Sequence, residues 1–373
     1  MKRLLFVVTE DWYFVSHRLH LAKAAIISGY RVAVLCRVNS CRNVIESAGI
    51  ELISWRLERS SIDPLLEFRA MNDVRTALRR FNPDLVHAVA LKPAVYTAVM
   101  GRLVGTGAFV YALGGLGFVF SSNKPKARLL RPVLLRLFQW MFSQKRTLLI
   151  LQNPDDRALL LSKKAIDPKK IRLIRGAGVD TDLFGPSPIP PGVPLVILPA
   201  RLLWDKGIGE FVAVARVLRS RGIVARFALV GASDPHNPES IPEGNVRGWV
   251  AEGIVEAWGH RDDMPEVLRQ ASVVCLPSYR EGLPKALIEA ASCARPIVTF
   301  DVAGCREVVE HGRNGLLVPF GDIDKLSTAL ATLISDPELR ERMGASGRNK
   351  VLREFSNERI TEETAQVWRE VAP

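Results

Sequence analysis

The sequence is poor in features that define several protein classes. Its five cysteines are odd in number and form no C-x-x-C pair, which argues against a disulfide framework or a zinc knot and favours a reducing compartment. Neither the P-loop pattern nor the G-x-G-x-x-G fingerprint occurs. There is no internal repeat and no low-complexity tract. These absences leave an ordinary globular chain, and a ligand site must be sought among its other motifs.

Long helical apolar runs are also missing. The start, MKRLLFVVTEDW, has a short apolar run without a small-residue cleavage site, so we interpret it as a first strand and not as a signal peptide. Residues 103–123 carry no charge but contain five glycines. A transmembrane helix needs about 20 apolar residues with helical continuity. We therefore expect a buried strand followed by a glycine-rich loop.

Acidic residues are scarce in the first half. Residues 1–175 contain 29 Lys and Arg against 12 Asp and Glu, whereas residues 176–373 contain 22 against 27. No acid occurs between Asp84 and Asp155. This asymmetry indicates that the first half faces an anionic partner, either a membrane surface or a nucleic acid. No nucleic-acid-binding module or aromatic platform is present, so we expect no nucleic acid.

Short apolar runs alternate with amphipathic stretches along the chain. The expected strands are 3–9, 31–36, 51–55, 84–89, 109–113, 147–152, 171–174, 195–200, 225–230, 254–259, 272–277 and 296–300, and the expected helices of the first half are 17–28, 64–81, 93–104, 126–144 and 154–164. This alternation predicts an α/β fold with two doubly wound, Rossmann-like parallel-sheet domains that face a cleft. Five prolines in FGPSPIPPGVP mark the linker. We predict a first domain at 1–183, a linker at 184–194, a second domain at 195–354 and a helix at 355–373 that returns to the first domain.

Two stretches of the second half suggest an anion site. In ARLLWDKG, Arg201 and Lys206 follow a strand and Gly207 opens a helix, so two cations and a helix N-terminus could hold a diphosphate. The alternative is surface charge on a loop. In YREGLPKALIEA, Glu281 precedes a helix whose first turn suits Pro284, and Glu289 lies inside that helix. Carboxylates accept strongly from vicinal diols, although a capped surface helix would show the same pattern.

The residues from 201 to 330 resemble the retaining glycosyltransferases of family 4, which have the GT-B fold. The resemblance rests on ARLLWDKG, on ALVG and on WGHRDDMPEVLRQASVVCLPSYREGLPKALIEAASCARPIVTFDVAGCREVVEHGRNGLLVPFGD. It implies that Arg201 and Lys206 bind the donor diphosphate, that Glu281 contacts the transferred sugar and that Glu289 binds the ribose. It further implies donor contacts at Gly231, Gly259, His260, Arg261, Gly282, Leu283 and Pro284, with the nucleobase near 258–262.

The first half resembles the subgroup that acts on capsule, O-antigen and lipid-linked oligosaccharides. Its matching pieces are WYFVSHRLHLAKAAIISGYRVAV, FNPDLVHAVALKPAVYTA and YALGGLGFVFSS. We expect His87 to end a strand that faces the cleft, and the resemblance places it near the donor sugar, although an interior histidine bonded to the backbone is the alternative. Expected acceptor contacts are Ser16, His17, Gly115, Gly117 and Phe118. One departure stands out, because many members have glycines after the first strand and TEDWYFVSHR has none.

Two further patterns bear on metals and membranes. Asp262 and Asp263 are adjacent and precede a helix, where acids stabilise the dipole, and they do not form the D-x-D of metal-dependent transferases. We expect no metal and no cofactor, since Arg, Lys and a helix terminus can neutralise a leaving diphosphate. Residues 124–146 carry seven basic residues and no acid among apolar ones. This pattern predicts an amphipathic helix on an anionic membrane surface, or a core helix with a solvated basic face.

Taken with the resemblance, these patterns predict a retaining, metal-independent hexosyltransferase. It would move a hexose or N-acetylhexosamine from a nucleotide-diphosphate sugar, UDP-linked by the subgroup, to a polyprenyl-diphosphate-linked sugar at the cytoplasmic membrane face. The alternatives are a GT-B sugar-nucleotide epimerase and a non-catalytic membrane-surface scaffold. An epimerase would need acid and base groups around the sugar, and a scaffold would be expected to lack the Arg–Lys and Glu–Glu pairs, which are all present.

Overall fold

A computed structural model describes residues 1–58, 63–116, 125–234 and 237–373, without the side chains of 125–128 and 130. The predicted acceptor residues Gly117 and Phe118 lie outside these described residues. The chain divides into two compact units. Unit 1 comprises residues 1–178 and 358–373, and unit 2 comprises residues 179–357.

Unit 1 is built on a seven-stranded sheet in the order β3-β2-β1-β4-β5-β6-β7, with every neighbouring pair parallel. The strands are β1 (Arg3–Glu10), β2 (Arg31–Arg37), β3 (Glu51–Ser54), β4 (Leu85–Val89), β5 (Phe109–Leu113), β6 (Thr147–Leu151) and β7 (Ile171–Leu173). The helices are α1 (Asp11–His17), α2 (Leu19–Ile27), α3 (Arg42–Ser47), α4 (Pro64–Phe81), α5 (Leu91–Val104), α6 (Pro125–Met141) and α7 (Pro154–Ser162), with the last helix, α15 (Asn357–Val371), joining this unit.

Apolar cores cover both faces of this sheet. One contains side chains of α4, α5, α6 and α7, and the other contains those of α1, α2 and α15. The central strands are apolar without alternation because both of their faces are buried. On the second face Trp368 of α15 is 1% exposed and packs edge-on against Phe6 of β1. The last helix is therefore part of the core of unit 1.

Unit 2 has a six-stranded parallel sheet in the order β10-β9-β8-β11-β12-β13. Its strands are β8 (Leu195–Pro199), β9 (Arg226–Val230), β10 (Glu256–Gly259), β11 (Val273–Leu276), β12 (Ile297–Phe300) and β13 (Gly315–Val318). Its helices are α8 (Ile208–Ser220), α9 (Glu243–Ala251), α10 (Met264–Gln270), α11 (Lys285–Ser292), α12 (Ala303–Val308), α13 (Ile323–Ser335) and α14 (Pro337–Glu354). Single-turn 3-10 helices cover Trp204–Lys206 and, in unit 1, Pro168–Lys170.

Two arginines bind the proline-rich stretch within unit 2. Arg295 is fully buried and donates to the Leu268 carbonyl at 2.8 Å and to the Ser187 carbonyl at 3.1 Å. Arg348 donates to the Phe184 carbonyl at 3.2 Å. Prolines cannot donate from their own nitrogen, so these guanidinium groups supply the donors that the stretch lacks.

The predicted fold class is confirmed, and each predicted strand is present within two residues at either end. Sequence reasoning missed β13 and the short helices α1 and α3. The strand β13 is only four residues long, and only its end residues are fully buried, so its apolar signal is weak. Helix α6 runs through Pro132 instead of beginning or breaking there. No helix within the described ranges is long and apolar enough to cross a bilayer.

Candidate active site

The carboxyl ends of the strands of unit 2 bring the predicted donor residues to one edge of its sheet. Arg201 follows β8, Gly231 follows β9, Gly259 ends β10, and the segment 277–284 follows β11. In parallel sheets ligands bind at this edge. The amide of Gly231 donates to the Gly259 carbonyl at 2.8 Å, which ties the ends of two neighbouring strands together.

A tight turn places Lys206. Residues Trp204–Lys206 form a 3-10 turn, and Gly207 adopts a left-handed conformation with φ of 74° before α8 begins. A Cβ at Gly207 would lie 2.0 Å from the carbonyl oxygen of Pro277, so only glycine allows this approach. The amide of Tyr279 donates to the Asp205 carbonyl at 2.9 Å. The turn after β8 is thus packed directly against the segment after β11.

Lys206 and Glu281 meet across these two segments. Lys206 Nζ lies 2.6 Å from Glu281 Oε1, and the two side chains are 20% and 12% exposed. The hydroxyl of Ser278 donates to the same oxygen at 2.7 Å. Ser278 is fully buried, so it fixes the carboxylate from the interior side. The result is a charged pair that is mostly buried yet still open to solvent at one end.

Gly304 holds the other side of the Glu281 loop. It is the second residue of α12, and a Cβ there would lie 2.5 Å from the Gly282 carbonyl oxygen and 2.7 Å from that of Glu281. Its amide donates to the Glu281 carbonyl at 3.2 Å. Sequence reasoning did not single out Gly304 or Ser278. Ser278 adjoins the glutamate motif in sequence, but the 22-residue separation of Gly304 from Gly282 leaves no local signal.

Arg201 stands apart from this pair. Its guanidinium Nη1 lies 2.7 Å from Asp234 Oδ2, and the two side chains are 47% and 30% exposed. Gly231 has a φ of 153°, and a Cβ there would lie 1.9 Å from the Ala200 carbonyl oxygen. Only glycine therefore allows the segments after β8 and β9 to approach this closely. The structure therefore gives the two predicted diphosphate ligands different partners, an exposed aspartate for Arg201 and a half-enclosed glutamate for Lys206.

The two glutamates of YREGLPKALIEA differ in position. Glu281 lies in the loop, whereas Glu289 is the fifth residue of α11 and is 9% exposed. Glu289 pairs with Lys285 one turn earlier, with Nζ to Oε1 at 2.9 Å. Pro284 caps the start of α11 in an extended conformation, without a side-chain hydrogen bond. The arrangement presents one acidic group before the helix and one on its flank.

The segment after β10 carries two close contacts between side chains. His260 Nε2 lies 3.1 Å from Asp262 Oδ1. Arg261 Nε donates to Asp263 at 2.7 Å, and this hydrogen bond holds the pKa of Asp263 below its usual range. Within the described ranges, no three His, Cys, Asp or Glu side chains gather as a metal site would require. Each of these two aspartates is thus engaged by a neighbouring side chain.

The predicted acceptor residues lie in unit 1. Ser16 and His17 end α1, with Ser16 Oγ 2.6 Å from His17 Nδ1, and the imidazole stacks on Tyr13 with ring centroids 4.1 Å apart. Gly115 lies two residues beyond β5. The acceptor roles of these residues stay predictions.

The expectation that His87 ends its strand is wrong. It is the middle residue of β4 and is 1% exposed. Its Nδ1 accepts a hydrogen bond from the Trp368 indole at 2.9 Å, so its partner is a side chain of α15 and not the backbone. A contact with the donor sugar stays a prediction, and the observed environment is that of an interior histidine.

The glycine-free junction after β1 has a structural explanation. Helix α1 begins directly at Asp11, which is fully buried. Its carboxylate accepts from the amides of Trp12 at 2.7 Å, Asn39 at 2.7 Å and Cys41 at 2.9 Å. Burial raises the pKa of Asp11, but these backbone hydrogen bonds outweigh burial and leave the pKa below its usual value. A buried carboxylate therefore organises the turn that glycines form in many resembling proteins.

Comparison with solved structures defines the class. The fold matches sucrose-phosphate synthase from Thermosynechococcus elongatus with a TM-score of 0.81 at 20% identity, covering 100% of this chain and 99% of that one. It matches Anabaena HepE, solved with UDP-glucose, with a TM-score of 0.79 at 18% identity, covering 99% and 100%. The two doubly wound units thus form a GT-B fold.

Family models then identify the chain. A model described as glycosyl transferases group 1 matches residues 193–336, and one described as glycosyl transferase 4-like matches residues 3–153. Together they cover most of both units. The chain belongs to the family 4 glycosyltransferases, as the sequence motifs indicated.

Curated relatives extend over most of the length. The chain is 24% identical to N,N'-diacetylbacillosaminyl-diphospho-undecaprenol alpha-1,3-N-acetylgalactosaminyltransferase of Campylobacter jejuni, over 91% of both chains. It is 25% identical to UDP-Gal:alpha-D-GlcNAc-diphosphoundecaprenol alpha-1,3-galactosyltransferase of Escherichia coli, over 79% of this chain and 78% of that one.

Proposed function

We propose that this protein is a retaining, metal-independent glycosyltransferase. It transfers a hexose or N-acetylhexosamine from a UDP-sugar to a polyprenyl-diphosphate-linked sugar during cell-surface polysaccharide synthesis. The observation that best supports the donor site is the Lys206–Glu281 pair at the carboxyl edge of the sheet of unit 2. The choice of acceptor is supported by the two relatives whose names specify undecaprenyl-diphosphate-linked sugars.

Each charged group has a role in this proposal. Lys206 and Arg201 stabilise the negative charge that develops on the departing diphosphate, because fixed cations in a partly enclosed site stabilise a transition state strongly. Glu281 accepts hydrogen bonds from sugar hydroxyls, with its orientation set by Ser278. Glu289, buried along the flank of α11, accepts from the ribose diol. The backbone amides of Gly282 and Leu283 orient the sugar and the diphosphate.

The proposed reaction retains the configuration at the anomeric carbon. The bond between that carbon and the diphosphate oxygen breaks, and the acceptor hydroxyl forms a new bond on the same face. The hydroxyl proton passes to the departing diphosphate, which leaves as UDP. Lys206, held 2.6 Å from Glu281 before donor binding, shifts part of its interaction to the diphosphate as charge builds there.

Product analysis tests this function. Purified protein is incubated with UDP-glucose, UDP-galactose, UDP-N-acetylglucosamine, UDP-N-acetylgalactosamine and the GDP-sugars, each with undecaprenyl-diphosphate N-acetylglucosamine as acceptor. We expect UDP release together with an α-linked disaccharide lipid in the NMR spectrum from at least one UDP-sugar, at an unchanged rate in EDTA. A β-linked product, loss of activity in EDTA, or an isomerised UDP-sugar without transfer would contradict retention, metal independence or transfer, respectively.

Helix α6 supports a peripheral membrane association at the cytoplasmic face. Its Phe138 and Met141 are buried in the core, whereas Leu129 and Val133, one turn apart, are 76% and 62% exposed. Trp140 continues this outward face, and Arg102 lies 5.0 Å above its ring. Exposed apolar groups in a segment rich in Lys and Arg suit the interface of an anionic bilayer. The described side chains of α6 therefore pack on the core with one face and offer the other to lipid.

Vesicle sedimentation tests the membrane surface. We expect the double variant Leu129→Ser and Val133→Ser to bind vesicles of anionic phospholipid at least tenfold more weakly than the wild type, since about 0.8 kcal/mol is lost per CH₂ withdrawn from lipid and the two changes withdraw several apolar carbons. Val224→Ser removes an equally exposed apolar residue from unit 2 and should bind as the wild type does. Equal binding by all three proteins would remove α6 from the proposal.

A further inference from the structure

Unit 1 buries a guanidinium group that meets no carboxylate. Arg18, between α1 and α2, is 4% exposed. Its Nη1 donates to the neighbouring His17 carbonyl at 3.3 Å, while its Nε is buried without a partner. No ion pair joins it to any Asp or Glu among the described residues. A buried cation without an anion is unfavourable, so this position demands a counter-charge.

The buried arginine of unit 2 shows how the chain satisfies such a group by itself. Arg295 donates to carbonyl oxygens of Leu268, Ser187, Pro188 and Arg269 and to the Ser187 hydroxyl. Carbonyl dipoles thus surround its charge. Among the described residues, Arg18 has a single long contact of this kind. The difference indicates that the described part of the chain leaves the charge of Arg18 unmatched.

His87 contributes a second unmatched donor. An indole N–H can only donate, so the Trp368 hydrogen bond requires that His87 Nδ1 accept. The proton of the neutral ring is then on Nε2, which is buried without a partner. Burial and the charge of Arg18 hold the pKa of His87 well below its usual value, so the ring stays neutral at pH 7. Its Nε2 is therefore a hydrogen-bond donor.

Both groups line the same small cavity. Its volume is about 10 Å³, and its other walls include Gln152 after β6, Ile174 and Gly176 after β7, and Thr364 of α15. A space of this size holds one water-sized particle. The two residues that carry these unpaired N–H donors, one of them charged, both line it, and each unpaired donor costs about 1–3 kcal/mol. An acceptor with a negative charge satisfies both donors at once.

We propose that this cavity binds one small inorganic anion of the size of chloride, held between Arg18 and His87. The Gln152 amide and the Thr364 hydroxyl are further donors in its wall. Because Thr364 belongs to α15 and His87 is bonded to Trp368 of the same helix, the anion stabilises the packing of α15 on the sheet of unit 1.

Anomalous diffraction from the wild-type protein crystallised in sodium bromide tests the site directly. We expect a bromide peak within hydrogen-bonding distance of Arg18 Nε and His87 Nε2. A cavity that holds only a water, without anomalous signal, would overturn the proposal. This measurement needs no variant, so it decides the question even if changes at Arg18 prevent folding.

Thermal unfolding provides the solution test. Replacing sodium gluconate by sodium chloride at equal ionic strength should raise the Tm of the wild type by about 3 °C when the site is nearly saturated. Arg18→Met should abolish this chloride-specific shift. Arg42→Met removes an equal charge from an exposed pair with Glu46 and should keep the full shift. An identical shift in Arg18→Met and the wild type would contradict an anion at Arg18.

Discussion

Units 1 and 2 share a doubly wound topology, and each has a carboxylate in the segment that follows an inner strand of its sheet. The two carboxylates differ in burial and in the groups that bind them. In unit 1, Asp11 follows β1, is fully buried and is bound by three backbone amides. In unit 2, Glu281 follows β11, is 12% exposed and is bound by the side chains of Lys206 and Ser278. Backbone amides cannot leave without unfolding their segments, whereas a lysine side chain can exchange partners.

We therefore expect a structural role for the carboxylate of unit 1 and a functional role for the carboxylate of unit 2. Asp11 closes the junction between β1 and α1, so we expect its loss to affect stability. The Lys206–Glu281 pair stays open to solvent at one end, so we expect the loss of either residue to affect donor binding and turnover. Function in this chain depends on which partners satisfy a charge, and not on the charge alone.

The largest effect is expected for Lys206→Met. The substitution keeps most of the side-chain volume but removes the cation that stabilises the departing diphosphate, and we expect kcat to fall about 1,000-fold. Steady-state UDP release from the active UDP-sugar measures this loss. Lys325→Met, at an exposed lysine of unit 2, serves as the control and should retain wild-type turnover. Wild-type kcat in Lys206→Met would refute the site assignment.

A smaller loss is expected for Gly304→Ala. The new Cβ would lie 2.5 Å from the Gly282 carbonyl and must displace the Glu281 loop. Displacement of a binding group by about 1 Å can cost about 100-fold in rate, so we expect kcat/KM to fall by about that factor. At Gly244 no atom lies within 4 Å of an added Cβ, so Gly244→Ala is the matched control and should leave turnover unchanged. Equal activity of the two variants would show that the loop is not held by Gly304.

How much of this site could be predicted differs between its parts. Apolar runs located every described strand of both sheets except β13, because parallel strands buried on two faces leave a strong local signal. The motifs located Lys206 and Glu281, but not their contact, since the two residues are 75 positions apart. The roles of Gly304 and of the amides that bind Asp11 were not predicted for the same reason. Their roles depend on segments that only the folded chain brings together.

Asp11→Asn should act on stability. The depressed pKa of Asp11 means that its stabilising contribution is complete above the unfolded pKa of about 3.9 and is lost as the pH falls through the folded pKa. We expect the variant to lose about 2 kcal/mol in the free energy of unfolding at pH 7. In urea titrations the gap from the wild type should narrow between pH 5 and pH 3.

Asp182→Asn, at an exposed position, is the control for this titration and should follow the wild type at every pH. A gap between Asp11→Asn and the wild type that is unchanged at pH 3 would show that the Asp11 charge is not what stabilises the junction. Donor affinity of Asp11→Asn at pH 7 should match the wild type, because among the described residues the Asp11 carboxylate binds backbone amides and the Asn39 side chain of unit 1.

The central claim is that Glu281 contacts the transferred sugar while Lys206 contacts the diphosphate. Isothermal titration of UDP and of the active UDP-sugar into the wild type, Glu281→Gln and Lys206→Met measures these contacts separately. We predict that Glu281→Gln binds UDP as the wild type does but loses the added affinity for the UDP-sugar, and that Lys206→Met binds both ligands about tenfold more weakly. A Glu281→Gln variant that keeps the wild-type preference for the UDP-sugar over UDP would contradict the account.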